Sequence, residues 1–498
     1  MTLVEMLKRN CAAVPDRPAI IHHDRAISYF ELDELCARLC AGLIGMGLSK
    51  GDRIGLMLPR VPELVISFLA AALSHGVAAP INYELTPENI RDIIKSITPR
   101  FLILSSSLIS LAKSSIPEGM DITLISVGDK AEGAISFDEL IKCSKPQEIE
   151  GRISEDDLVY LNFTSGSTGD SKGAITTHAN IYWNTAASVE TLGLTEDDIH
   201  LCMFAPFAHP HEIFARPLFL GGTMVLLDKV YPKSIAEAIS KNRVTCMMGL
   251  SPMYENLLDV LDAKHYDLSS LRIPESGGMF TRPDLIERFR KKIGVPIIPV
   301  WGSTETTGIA LANTPGEMPI PGSIGKPCRY YEVRIVDEDG SELPHGEVGE
   351  MIFKGPAVVS GYYGITGASA PLNDNWYFSG DLGKKDEEGN FYFVDRKSGM
   401  MKIAGLKVYP MEIEKVLMEH PSIKDVAVIS INHALRGEVP KAIVSLKDGF
   451  SITEREIMAF CRERLPNYKA PKVVEIRASL PKIGSGKVNK KVLRMEHI

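Results

Sequence analysis

Short apolar runs alternate with helical stretches along most of the chain, and this alternation restricts the fold more than any other feature. Ser28 and Glu31 form a capping-box pattern, after which Leu32, Leu35, Cys36, Leu39, Cys40 and Leu43 recur at helical spacing until Gly45 and Gly47 close the helix. "DRIGLML", "FLILS" and "TMVLLD" are strand-length apolar runs set between such stretches, so parallel α/β layers are expected. From about Gly322 the texture changes to short strands with turns, as in "YEVRIVDEDGSELPHGEVGEMIFKG", where "DEDG" reads as a hairpin turn. A small β unit, barrel-like, is expected over 320–396. Beyond "DRKSG" follow a helix near 412–419, strands "VAVISI" and "KAIVSL", a helix over 453–464 and a strand "KVVEI", which together read as a separate α+β domain.

A chain of 498 residues exceeds what one core usually holds, and 45% apolar residues exclude a largely disordered protein. The sharpest boundary lies near Ser398 and Gly399. Residues 399–498 carry 18 Lys and Arg against 11 Asp and Glu, so with −8 overall the first 398 residues hold −15. The basic residues are interspersed with acids and form no run, which argues against a nucleic-acid or other polyanion binder and fits a polyphosphate-bearing small molecule. The N-terminus shows no apolar h-region, and the most apolar stretch, Leu64 to Ile81, is broken by Ser67, Ser74, His75 and Gly76; neither a signal peptide nor a membrane span is expected. Eight cysteines form no CxxC pair, and buried free thiols in a reducing cytoplasm are the expectation.

"LVYLNFTSGSTGDSKG" places an apolar strand directly before a cluster of Gly, Ser and Thr. Glycines permit a nest of backbone N–H groups around an anion, hydroxyls can donate to phosphate oxygens, and Lys172 adds a point charge. Taken alone, the stretch fits a flexible surface loop as well as a phosphate cradle. Its spacing excludes a Walker A loop, and "IGSGKV" fails the same test because Pro481 stands where the first glycine would have to be.

"IIPVWGSTETTG" sets Thr304 and Glu305 after an apolar strand, where open α/β sheets bind ligands. A carboxylate near triphosphate is useful mainly as a Mg²⁺ ligand. "WYFSGDLG" offers Asp381 and "FVDRKSG" offers Arg396, able to bind ribose hydroxyls or to form a salt bridge.

Five motifs in this order, "TSGSTGDSKG", "WGSTE", "SGDLG", "VDRKSG" and "PKIGSGK", together with "GDRIGLMLPRVPE", "SGGMF" and "GEMIFKGPAVVSGYY", cover nearly the whole chain. The chain resembles the adenylate-forming superfamily of acyl-CoA synthetases, peptide-synthetase adenylation domains and beetle luciferases. The resemblance implies a large N-terminal domain (1–397) of two stacked α/β subdomains plus a small β-barrel, a hinge at Ser398, and a smaller mobile α+β C-terminal domain (399–498). It assigns Thr164, Ser165, Gly166, Ser167, Thr168, Gly169 and Lys172 to the β and γ phosphates of ATP, with Ser171 replacing the usual proline. Gly277, Gly278 and Met279 match the adenine-binding turn, Met279 in place of the commoner alanine, with Trp301 on the other face of the base; Gly302 and Ser303 continue that ATP-binding stretch. Thr304 and Glu305 match the α-phosphate and Mg²⁺ contacts, Asp381 and Arg396 the ribose binders, and Lys487 the catalytic lysine of adenylate formation. Gly405 matches the glycine that lets the pantetheine arm pass, and Ser398 stands at the pivot, where Asp or Lys is usual.

The resemblance also places His209 beside the acyl site. His211 and Glu212 nearby invite a metal-site reading, but without further ligands it is the weaker one. Gly302 stands where acetate-activating relatives carry a tryptophan, and Val300 where long-chain members carry glycine, which implies an acyl pocket of intermediate depth. Phe207, Met253, Tyr254 and Phe280 add apolar wall, while Arg216 and His211 are the groups able to salt-bridge a second carboxylate. The function implied is an AMP-forming acyl-CoA synthetase for a medium-chain, alicyclic or aromatic acid, using ATP, Mg²⁺ and CoA as a cytoplasmic monomer or homodimer. A stand-alone enzyme loading a phosphopantetheinyl carrier protein is the alternative.

Overall fold

The computed structural model describes residues 1–147, 151–165, 171–364, 372–403, 406–433, 437–482 and 488–496. The chain divides into two compact units, residues 1–333 with 353–377, and residues 334–352 with 378–498. This division follows packing density; the expected pivot at Ser398, a statement about motion, lies within the second unit.

The first unit holds the two expected α/β layers. One sheet has seven strands in the order 135–136, 123–127, 101–105, 53–57, 77–80, 158–165 and 171–177, parallel except for the last pair. The other has nine, in the order 326–327, 308–312, 298–303, 273–276, 246–249, 199–202, 223–226, 18–22 and 25–28, with antiparallel pairs confined to its two ends. The runs "DRIGLML", "FLILS" and "TMVLLD" contribute Arg53–Met57, Phe101–Ser105 and Thr223–Leu226.

The expected helix is Tyr29–Gly45, closed at its start by the reciprocal Ser28 and Glu31 bonds. Pro62–Leu73 is buried on every side, and its core cluster takes side chains from both sheets, including Ile20 and Met224 of one and Ile54 and Phe101 of the other. That location explains the most apolar stretch of the sequence: a helix wrapped in protein needs no polar face. Phe68 at its centre packs against Tyr160 at 5.4 Å and Phe214 at 5.1 Å, and burying a side chain of this kind contributes about 1.5–3 kcal/mol. No described helix is long and apolar enough to cross a membrane.

The β unit expected over 320–396 contains strands 332–336, 349–354, 372–373, 376–385 and 391–396 in a five-stranded sheet that follows an open path among the described residues. "DEDG" forms the expected turn, with Asp337 N–H donating to the Ser341 carbonyl at 3.0 Å. In the second unit a five-stranded sheet (401–403, 406–408, 423–433, 437–446, 473–477) carries helices Pro410–Met418 and Glu454–Arg464, the latter capped by Thr453. These match the α+β elements read from the sequence.

Candidate active site

The Gly-rich stretch closes a β-hairpin. Leu158–Ser165 and Ser171–Thr177 pair antiparallel, with Thr164 opposite Lys172 and Ser165 opposite Ser171. A strand, not a helix, therefore follows the loop, which distinguishes it from loops that hold phosphate on a helix N-terminus. Gly166, Ser167, Thr168 and Gly169 lie outside the described residues, as do the side chains of Thr164 and Ser165.

Lys172 is described, and it connects to Glu305 through one tyrosine. Its ammonium lies 5.6 Å from the centre of the Tyr362 ring, and the Tyr362 hydroxyl donates to Glu305 Oε1 at 2.5 Å. Tyr377 donates to the other carboxylate oxygen at 3.0 Å. Burial, reinforced by the carboxylate, pushes both phenols well above their usual range, so each remains a donor. Backbone bonds fix the same arrangement: Val359 N–H donates to the Glu305 carbonyl, Tyr363 N–H to Gly173 and Ile175 N–H to Gly361. Neither tyrosine was assigned a role from sequence, although both lie in quoted motifs, at Tyr362 of "SGYY" and Tyr377 of "WYFSGD".

Glu305 follows the strand Ile298–Ser303 in a tight turn built by reciprocal bonds, Ser303 N–H to Thr306 Oγ1 at 2.9 Å and Thr306 N–H to Ser303 Oγ at 3.2 Å. Thr304 precedes it, half-buried, and its carbonyl accepts from Thr307 N–H. Glu305 itself is buried, with one hydroxyl on each oxygen, which leaves acceptor capacity for a cation. A carboxylate so held suits Mg²⁺, which binds through one or two carboxylates plus substrate phosphates.

Gly302 has a structural role that sequence did not reveal. A Cβ built there would stand 2.3 Å from the Gly308 carbonyl oxygen and 2.9 Å from Ile309 Cα, so the hairpin 298–303/308–312 closes only over glycine. Val300 is buried, with Cγ2 3.2 Å from the position of a Cβ on Gly277, and so closes over the turn of Gly277, Gly278 and Met279. Gly278 occupies that turn with φ +72°. Trp301 stacks on Phe353 at 4.3 Å with an interplanar angle of 6°, leaving at most one face of its ring for a ligand.

His209, with φ +55°, opens the turn Pro210–Ile213, and its ring lies 6.4 Å from both Phe204 and His211. His211 is buried and hydrogen-bonded through Nδ1 to the Tyr160 hydroxyl at 2.6 Å, and burial pushes its imidazole down to about 3, so it is neutral. Arg216 is already ion-paired, to Glu275 at 2.7 Å and Glu212 at 3.6 Å, in a buried cluster. Despite its burial, these carboxylates hold the guanidinium above its usual range. The two groups expected to meet a second carboxylate are thus a neutral imidazole and a guanidinium between two glutamates. Among the described residues, His209, His211 and Glu212 form no group with metal-ligand spacing.

Phe207 is half-buried, its ring edge-on to Tyr83 at 5.7 Å. Met253 is half-buried, with its sulfur 3.3 Å from the position of a Cβ on Gly249. Tyr254 is fully buried, its hydroxyl donating to the Glu275 carbonyl and its ring edge-on to Phe289, so it belongs to the core of this layer.

In the second unit Asp381 and Arg396 stand opposite each other on paired strands, Arg396 Nε 2.8 Å from Asp381 Oδ1. Asp381 is buried and Arg396 exposed. Glu350 fixes the strand backbone just before Asp381, accepting from Gly380 N–H at 2.9 Å and from Lys397 at 2.7 Å. Ser398 is exposed in the single turn 397–399. Gly405 and Lys487 lie outside the described residues.

Comparison with known proteins shows the family and the overall fold. The AMP-binding enzyme family model matches residues 7–363, and the model of the AMP-binding enzyme C-terminal domain matches residues 412–487. The chain belongs to the AMP-binding enzyme family. It is 33% identical to a long-chain-fatty-acid–CoA ligase of Bacillus subtilis, over 99% of this chain and 94% of the relative. It is 32% identical to a feruloyl-CoA synthase of an Amycolatopsis species, over 98% and 97%. A crystal structure of an anthranilate CoA ligase in complex with anthranoyl-AMP superposes with a TM-score of 0.92 at 28% identity, covering 100% of this chain and 97% of that one.

Proposed function

We propose that this AMP-forming acyl-CoA synthetase activates a medium-chain, alicyclic or aromatic monocarboxylic acid and transfers it to CoA. The observation that carries the choice of a monocarboxylate is the state of Arg216, whose charge is offset by Glu275 and Glu212. A second carboxylate would enter beside two glutamates with no net positive charge to meet it. Val300, branched and closed over Gly277, supports intermediate depth. The acids named for the relatives, long-chain, feruloyl and anthranilate, are all larger than acetate.

A carboxylate oxygen of the acid attacks the α phosphorus of ATP, the bond to the β-phosphate oxygen breaks, and pyrophosphate leaves. The CoA thiolate then attacks the acyl carbonyl carbon and AMP leaves with the bridging oxygen. Two anions meet in the first step, so positive charge must be preorganised where negative charge gathers. Lys172 serves the pyrophosphate end and Lys487 the α phosphate and carboxylate. Glu305, held by Tyr362 and Tyr377, would hold Mg²⁺, which offsets phosphate charge when bound. Gly405 and Ser398 are assigned to the thioester step and its domain pivot, and Asp381 with Arg396 to the ribose. All eight cysteines are free and six of them buried, which supports a reducing cytoplasm; the enzyme acts there as a monomer or homodimer.

A panel of acids assayed for pyrophosphate release with CoA present tests the reading. Octanoate, cyclohexanecarboxylate or benzoate should exceed acetate and malonate; preference for malonate would overturn the role given to Arg216.

A further inference from the structure

We propose that His22, His23 and Asp228 form a divalent transition-metal site that clips the first β-hairpin of the chain to the end of a neighbouring parallel strand. His22 Nε2 lies 2.5 Å from Asp228 Oδ1, and His23 Nε2 lies 2.9 Å from Asp228 Oδ2. The three ligand atoms lie within 4.8 Å of one another, the sole such group among the described residues. A tetrahedral ion about 2.1 Å from each ligand sets its ligand atoms about 3.4 Å apart, so closing around one requires side-chain rotations that bring the three atoms to that spacing.

Backbone structure brings the three together. His22 ends the strand Pro18–His22, paired parallel to Thr223–Leu226 with His22 opposite Leu226, which brings Asp228 alongside. Arg60 fixes the segment carrying Asp228 by donating to the carbonyls of Leu227, Asp228 and Phe204. Consecutive residues of a strand point to opposite faces, yet His23 sits in the hairpin turn with φ +55°, which lets its imidazole reach the same carboxylate as His22. The rings lie 4.2 Å apart. Two cations flank the turn: Lys241 is engaged with Asp24 at 2.6 Å, and Arg25 stands opposite His22 in the hairpin.

Two imidazoles and one carboxylate form a donor set for Zn²⁺ and its neighbours, not for Mg²⁺ or Ca²⁺, which take oxygen ligands. The side chains of His23 and Asp228 are 68% and 38% exposed, so water completes the coordination. The site uses none of the residues assigned to ATP or acid. Its ion holds residues 22–23 to residue 228 and thereby strengthens an edge of the nine-stranded sheet.

Chelator-treated, tag-free full-length protein titrated with Zn²⁺ by calorimetry, and with Co²⁺ by visible absorption, tests the proposal. One equivalent should bind and raise Tm. His22→Ala, His23→Asn and Asp228→Ala should each weaken binding by on the order of tenfold or more and abolish the Tm shift. Asn tolerates the left-handed turn, so His23→Asn removes the ligand while keeping the hairpin. Absence of binding to the wild-type protein, or binding that survives all three substitutions because the ion sits elsewhere, overturns the proposal.

Discussion

Replacing Tyr362 by Phe removes one atom from the Lys172–Tyr362–Glu305 arrangement. The ring under the Lys172 ammonium stays, while the 2.5 Å bond to Glu305 Oε1 is lost. A hydrogen bond to a charged group is worth about 1.5–3 kcal/mol, and Tyr377 still holds the other oxygen. If that energy serves to orient Glu305 in the transition state, kcat/KM for ATP should fall about 10- to 100-fold. The requirement for Mg²⁺ should rise, because a carboxylate held by one hydroxyl instead of two is less well oriented for a cation. The assay is acid-dependent pyrophosphate release across a Mg²⁺ series, with Tm as a check on folding. Tyr377→Phe should act in the same sense, and the double variant should be non-additive because both hydroxyls hold one carboxylate. A Tyr362→Phe enzyme within twofold of wild type at every Mg²⁺ concentration, or strictly additive variants, would refute the positioning role.

Three further outcomes follow from the same structure. Gly302→Ala drives a Cβ to 2.3 Å from the Gly308 oxygen, so it should destabilise the protein by about 1–3 kcal/mol in denaturant unfolding and lower turnover for every acid alike; a mere change of acid preference would show that Gly302 acts only on the pocket. Lys487→Ala should abolish adenylate formation yet spare thioester formation from supplied acyl adenylate, whereas Gly405→Leu should show the reverse; equal loss of both half-reactions in either variant would contradict the division. Burial pushes the His178 imidazole down to about 4 from an unfolded value near 6.5, so the folded state resists the proton that the unfolded chain accepts. Its share of stability is present above pH 6.5 and lost as pH falls through 4, on the order of 3 kcal/mol in all, and His178→Gln should flatten that part of the pH–stability curve.

The periodic features of the sequence reported the fold well. The helix Tyr29–Gly45 carries its cap and its apolar spacing in contiguous residues, so its position needs no tertiary information. The strand before the Gly-rich loop and the turn at Glu305 were legible for the same reason. What the sequence hid is set by long-range pairing. Tyr362 and Tyr377 meet Glu305 across 57 and 72 residues, and neither a tyrosine at an isolated bridge nor one in a strand has a local pattern to separate a carboxylate clamp from core packing. Gly302 looked like a pocket residue because its clash exists only once the strand 308–312 folds back on it. Arg216 looked like a free cation because its closer carboxylate partner, Glu275, comes from a strand 59 residues away, while Glu212 in the preceding turn joins it only at 3.6 Å.

The most direct test follows the oxygen atoms. With the preferred acid labelled with ¹⁸O in both carboxylate oxygens, attack on the α phosphorus and thioester formation must leave one labelled oxygen in AMP and none in pyrophosphate. Mass spectrometry of the products should show AMP carrying a single ¹⁸O for each acyl-CoA formed. Label appearing in inorganic phosphate alongside ADP, or acyl-CoA formed with unlabelled AMP, would contradict the adenylate route on which the site assignments rest.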